Sequence, residues 1–172
     1  MSPIPWLVIV ALTAINALYV AAEFSIVAVE RGAIASLARG GNARAASVLS
    51  VLEDGTVLDR YIAACQIGIT LTSLVAGAYG QATIGVALAP MLEGTFHLTR
   101  LTAQSASAVT VLIVLTTFQM VLGELVPKSL ALQYPERTVL ATYLPTRLSA
   151  SLYHAFIVLL NGSGFLLLKP FG

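Results

Sequence analysis

Three apolar runs, each long enough to cross a hydrocarbon layer, leave this chain few folds to adopt. A helix needs about 20 consecutive apolar residues to span a bilayer core. The first run extends from Ile4 to Val29, interrupted by Asn16, Glu23 and small hydroxyls. The second runs from Tyr61 to Met91 and the third from Leu101 to Val126. Residues 139–171 are also apolar, but Pro145, Arg147, His154, Asn161 and two glycines recur too often for a lipid-facing crossing. That stretch is expected to lie along the interface. Backbone groups in lipid must be bonded within their own segment, so the predicted fold is all-α and integral to the membrane. Three transmembrane helices carry it, joined by cytoplasmic and interfacial juxtamembrane helices. The composition agrees: 10% of residues are charged, against about 25% in soluble domains. A signal peptide does not describe the first run, which lacks a basic start, is too long and contains Glu23.

Charge placement sets the expected orientation. Arg31, Arg39, Arg44 and Arg60 follow the first run, and Lys128, Arg137, Arg147 and Lys169 follow the third. Only Arg100 sits between the second and third, and the N-terminal flank has none. The positive-inside rule then puts the N-terminus outside and the C-terminus in the cytoplasm, in the cell (inner) membrane. A net charge of +1 with no basic patch argues against a nucleic-acid partner. One cysteine, Cys65, within an apolar run rules out a disulfide inside one chain.

The segments divide into a three-span bundle over residues 1–132 and a juxtamembrane belt over 133–172. Within the connection 30–60, a short helix from Ala33 to Arg39 is expected, then a Gly40-Gly41-Asn42 break. An amphipathic helix from Ala43 to about Leu52 follows, closed by Glu53-Asp54-Gly55. Pro127 and Pro135 punctuate the exit from the third run. Two kinked helices are expected beyond it, separated at Asn161-Gly162-Ser163-Gly164. A chain that stops at Gly172 directly after an apolar stretch reads as a membrane domain cut from a longer protein.

Function in such a domain is sought where residues cost energy. A carboxylate at the centre of a span costs about 2.5–3.5 kcal/mol on insertion scales. Glu23 and Glu124 both fall in or at the inner end of apolar runs. The third run ends Gly123-Glu124-Leu125-Val126-Pro127-Lys128. Pro127 has no amide hydrogen and clashes with the carbonyl four residues back, that of Gly123. A freed carbonyl beside a carboxylate is an oxygen pair suited to a hard cation such as magnesium. The alternative is a proline that ends the helix, with Glu124 paired to Lys128 at i,i+4.

In the second run Gln66, Thr70, Ser73, Gly77 and Gly80 share one helical face. Small residues there let helices approach closely. Close approach is also what gathers hydroxyls from several helices around one ion. Gly68 is placed to expose backbone at a local bend. In the first run Asn16 and Glu23 share a face, while Ser25 lies about 200° round from Glu23. Either acid or serine is available as a ligand, and a serine in a membrane helix commonly bonds back to its own backbone. No enzyme is expected and no catalytic residue is assigned. His97 and His154 are isolated, and no histidine–acid pair can be placed beside Ser163.

With these residues assembled, the chain resembles the transmembrane domain of the CorC/CNNM (cyclin M) magnesium transporters. The likeness is carried by Asn16-Ala17-Leu18-Tyr19-Val20-Ala21-Ala22-Glu23-Phe24-Ser25, by Gln66-Ile67-Gly68-Ile69-Thr70-Leu71 and by Gly123-Glu124-Leu125-Val126-Pro127-Lys128. They occur in the family's order and spacing, followed by Tyr134-Pro135-Glu136-Arg137. The resemblance implies a homodimer in the bilayer and magnesium export coupled to sodium entry. It also implies cytosolic CBS domains further along the full-length protein. Carried onto matching positions, the Mg2+ site would involve Ser25, Ser73 and Glu124, with backbone oxygen near Gly123 and Gly68. Na+ is the implied coupling ion. Rival functions are a non-transporting anchor or sensor that dimerises cytosolic domains, and a transporter of another divalent cation. Hard oxygen donors favour magnesium over softer metals.

Overall fold

A computed structural model describes residues 2–152 of the chain. Every regular element among them is helical. The helices are α1 (Ile4–Ala28), α2 (Arg31–Arg39), α3 (Ala43–Glu53), α4 (Gly55–Phe96), α5 (Arg100–Gln133) and α6 (Pro135–Leu152). Three of them, α1, α4 and α5, are long and apolar enough to cross a membrane. The second kinked helix expected in the belt, with His154 and the break at Asn161–Gly164, lies outside the described residues.

Local chemistry explains the boundaries. Gly41 takes φ 90 after α2, and its amide and that of Asn42 return to the carbonyls of Ala38 and Leu37. A left-handed residue in that place needs glycine. Asn42 then opens α3, its side chain accepting from the amides of Arg44 at 3.0 Å and Ala45 at 3.1 Å. Asp54 does the same for α4, accepting from Thr56 at 2.9 Å and Val57 at 3.2 Å. That cap starts the helix at Gly55, before the apolar run begins at Tyr61. Asp59 and Arg60 therefore ride on the first turns of α4 instead of preceding it.

The largest departure from expectation concerns the prolines. Pro127 does not end a helix: α5 continues to Gln133. The turn ahead of it, Gln119–Leu125, is π-helical, with the Val126 amide bonded to the Val121 carbonyl five residues back. The wider turn accommodates a ring that a regular α-helix would reject. Pro90 in α4 is preceded in the same way by a π-helical turn at Gln81–Gly85.

The chain divides into two compact units. The first combines the residues up to Leu18 with Ile69–Pro127. Its apolar centre is formed by Ile9, Ile84, Val111 and Leu115. Gly80 lies directly beneath the Leu115 side chain, where a Cβ would collide. The second combines Tyr19–Gly68 with the described residues from Lys128 onward. Ile26, Ile34, Val48, Leu52 and Val139 form its core. Tyr61 and Tyr143 stack there with ring centroids 6.2 Å apart.

Candidate cation site

The first unit holds a cavity of about 270 Å³ lined by Asn16, Ser73, Gln81, Gln119 and Glu124 among others. Water occupies about 30 Å³ per molecule in the liquid, so the space suits a partly hydrated ion. Its organiser is Asn16, only 3% exposed. The Asn16 Nδ2 donates to the Gly123 carbonyl at 3.1 Å. Its Oδ1 accepts from the hydroxyls of Thr72 at 2.8 Å and Ser73 at 3.3 Å. A carbonyl only accepts, so Gly123 decides which end of the amide faces it. One side chain on α1 thereby joins α4 to the π-turn of α5.

The Gly123 carbonyl is the acceptor that Pro127 cannot serve, and Asn16 covers it. A carbonyl has a second lone pair, which remains for another partner. A side chain at 123 has no room: a Cβ would sit 3.0 Å from both Asn16 Nδ2 and Gln119 Oε1. Next to it, Glu124 is exposed and lines the cavity. The amide of Gln119 is buried with neither its oxygen nor its nitrogen hydrogen-bonded. An unpaired buried amide costs roughly 1–3 kcal/mol, so this position carries a penalty that packing alone does not explain. Among the described residues no cluster of three or more His, Cys, Asp or Glu side chains occurs. The polar set is one carboxylate with neutral oxygens.

The other predicted positions sit elsewhere in the chain. Ser25 and Gly68 belong to the second unit. Ser25 is fully buried and its hydroxyl donates to the Ala22 carbonyl at 3.2 Å. Gly68 lies in unbroken helix, with the Tyr19 ring 2.5 Å from where a Cβ would stand. Its missing side chain makes way for that ring. Glu23 accepts from Gln66 Nε2 at 3.3 Å. Lys128, the alternative partner considered for Glu124, places its ammonium 4.4 Å from the centroid of the Phe24 ring.

Three polar cavity residues have no place in the sequence pattern read above, Gln81, Thr116 and Gln119. The signals were there. Gln81 continues the Ser73, Gly77 row at the next i+4 step, and Gln119 is an uncharged polar residue inside an apolar run. Gln81 Nε2 donates to the Ala108 carbonyl at 2.7 Å. Gln81 also lines a second cavity of about 380 Å³ with Glu93, Arg100 and Gln104.

Comparison with known proteins places this architecture in a family. Residues 7–172 match the family described as the cyclin M transmembrane N-terminal domain. The UPF0053 protein YhdT of Bacillus subtilis is 38% identical over 161 residues, covering 94% of this chain and 34% of YhdT. The YrkA protein of the same organism is 34% identical over 172 residues, all of this chain and 39% of that protein. YhdP, also from Bacillus subtilis, is 34% identical over 96% of this chain and 36% of its own length. The chain thus spans between a third and two fifths of these relatives. The family model covers nearly all of a multi-pass helical membrane domain, and the chain belongs to the cyclin M (CNNM) transmembrane family.

Proposed function

We propose that this domain moves magnesium across the membrane, exporting it in exchange for sodium. The observation that carries the reading is the cavity in which Glu124 meets Ser73, the unpaired Gln119 amide and the Asn16-held Gly123 turn. Magnesium binds oxygen, dehydrates reluctantly and usually keeps several waters. A cavity with one carboxylate and several neutral oxygens can replace part of the hydration shell and leave the rest. One negative charge against two positive ones leaves the bound ion under-neutralised, which favours release. Sodium, with half the charge, is balanced by the same carboxylate, and competition for it would give exchange.

The family likeness adds Ser25 and the Gly68 backbone to the ligand set. Ser25 would contribute its hydroxyl only by giving up its bond to Ala22. Its carbonyl already accepts from the Val29 amide at 3.0 Å, with one lone pair to spare. The N-terminus is taken to be outside, the protein to act as a homodimer, and the full-length protein to carry its CBS domains in the cytosol. The test is magnesium flux in liposomes bearing the full-length protein, with and without an opposing sodium gradient. Flux that requires the gradient and disappears in Glu124→Ala supports the proposal. Glu124→Gln separates charge from ligation, since it keeps one oxygen. Undiminished flux in Glu124→Ala removes the site; absence of any magnesium flux in the wild type leaves the anchor or sensor role.

A further inference from the structure

The second unit contains a cavity of about 330 Å³ that owes nothing to the cation site. Its walls include Arg60 at the start of α4, Arg147 on α6, Tyr61, Tyr143 and the Ser47–Ser50 turn of α3. Among the described residues no acidic side chain lines it. Among the described residues neither guanidinium has a hydrogen bond or an ion pair. Two positive charges beside one space without a lining counter-charge repel each other, and an anion relieves that repulsion. The stacked Tyr61 and Tyr143 rings make part of the wall rigid. Tyr61 is 4% exposed, and its hydroxyl is buried without a hydrogen bond of good geometry, as is that of neighbouring Thr146. Ser47 and Ser50 donate back into their own helix, to Ala43 and Ser47. The arginines are therefore the charged donors left to meet a ligand, with the Tyr61 hydroxyl beside them.

The location narrows the chemistry. With α1, α4 and α5 each crossing once, the start of α4 and the helix after α5 emerge on the same side of the membrane. Arg60 directly precedes the apolar run of α4 and Arg147 lines the same cavity, which puts both at the level expected of lipid headgroups. Guanidinium forks match phosphate oxygens two at a time, and the volume accommodates a phosphate with its ester carbons. We infer that this cavity binds the phosphate group of an anionic phospholipid, gripped between Arg60 and Arg147 against the Tyr61–Tyr143 pair.

The test uses the full-length protein purified in neutral detergent, with thermal unfolding and native mass spectrometry as readouts. Phosphatidylglycerol in mixed micelles should raise Tm and remain bound, while phosphatidylcholine at the same mole fraction should not. The Arg60→Gln/Arg147→Gln double variant should bind phosphatidylglycerol at least about tenfold more weakly, the scale of one charge-assisted hydrogen bond. Inorganic phosphate, at ionic strength matched with chloride, forms a separate arm. A shift from phosphate alone that the double variant loses keeps the phosphate chemistry but assigns it to a soluble ligand. Equal shifts from both lipids, or an unchanged phosphatidylglycerol effect in the double variant, overturn the inference. If the double variant does not fold, Arg147→Gln and Arg147→Lys decide: lysine should retain part of the effect that glutamine loses, and equal effects overturn it. None of these readouts depends on cation transport.

Discussion

The two π-turns of this domain are built alike and finished differently. Each opens with a glutamine and has a glycine four residues on, Gln81 with Gly85 and Gln119 with Gly123. Each precedes a proline, and each glycine carbonyl accepts from a side chain on another helix. Ser107 Oγ reaches Gly85 at 2.6 Å, and Asn16 Nδ2 reaches Gly123 at 3.1 Å. In the α4 turn the glutamine is engaged, its amide nitrogen donating to the Ala108 carbonyl. In the α5 turn the glutamine is buried and unbonded, and the next residue after the glycine is an exposed carboxylate. The same local device therefore serves two ends. One copy staples two helices. The other leaves polar atoms unspent beside a cavity, as expected of a site that waits for a ligand.

That contrast can be broken by experiment. Glu124→Ala should bring flux to background, whereas Glu93→Ala, beside the α4 turn, should retain most of it; the reverse order would invert the comparison. Asn16→Leu comes next. It strips the Gly123 carbonyl and the Ser73 hydroxyl of a partner and should cost about 1–3 kcal/mol, read as a lowered Tm together with lost flux. The glutamines sharpen the distinction further. Gln81→Leu should destabilise by about 0.6–2 kcal/mol, the range for a hydrogen bond between membrane helices. Gln119→Leu breaks no bond and should leave Tm unchanged or raised while lowering flux. Equal Tm losses in the two variants would mean that Gln119 is bonded after all. Smallest is Ser107→Ala, expected to cost about 0.6–2 kcal/mol with flux within about twofold of wild type, because the cap it removes belongs to the structural turn.

Much of this was legible in the residues. The apolar runs announced three membrane helices, since length and backbone satisfaction in lipid admit little else. The Gly40-Gly41-Asn42 break and the helices on either side of it follow from a left-handed glycine and an asparagine cap, both local effects. Glu124 stood out because a carboxylate in an apolar run is costly. Hydropathy alone puts the start of α4 too late, at Tyr61, because the helix obeys the Asp54 cap.

The fate of the prolines was not legible. Pro127 identified the carbonyl that would lose its amide partner, but not that the helix would widen and continue. Nor could spacing reveal that Asn16, more than a hundred residues away, covers that carbonyl while Gln119, four residues away, stays unbonded.

Chain chemistry alone settled how many helices enter the membrane, where glycine and asparagine interrupt them, and which carbonyl a proline deprives. These depend on groups within a few residues of one another. Which orphaned group found a partner, which stayed open, and which side chains share a cavity were decided only by helices packing together. A hydrogen bond needs two groups within about 3 Å, and for residues distant in sequence only the tertiary fold brings them that close.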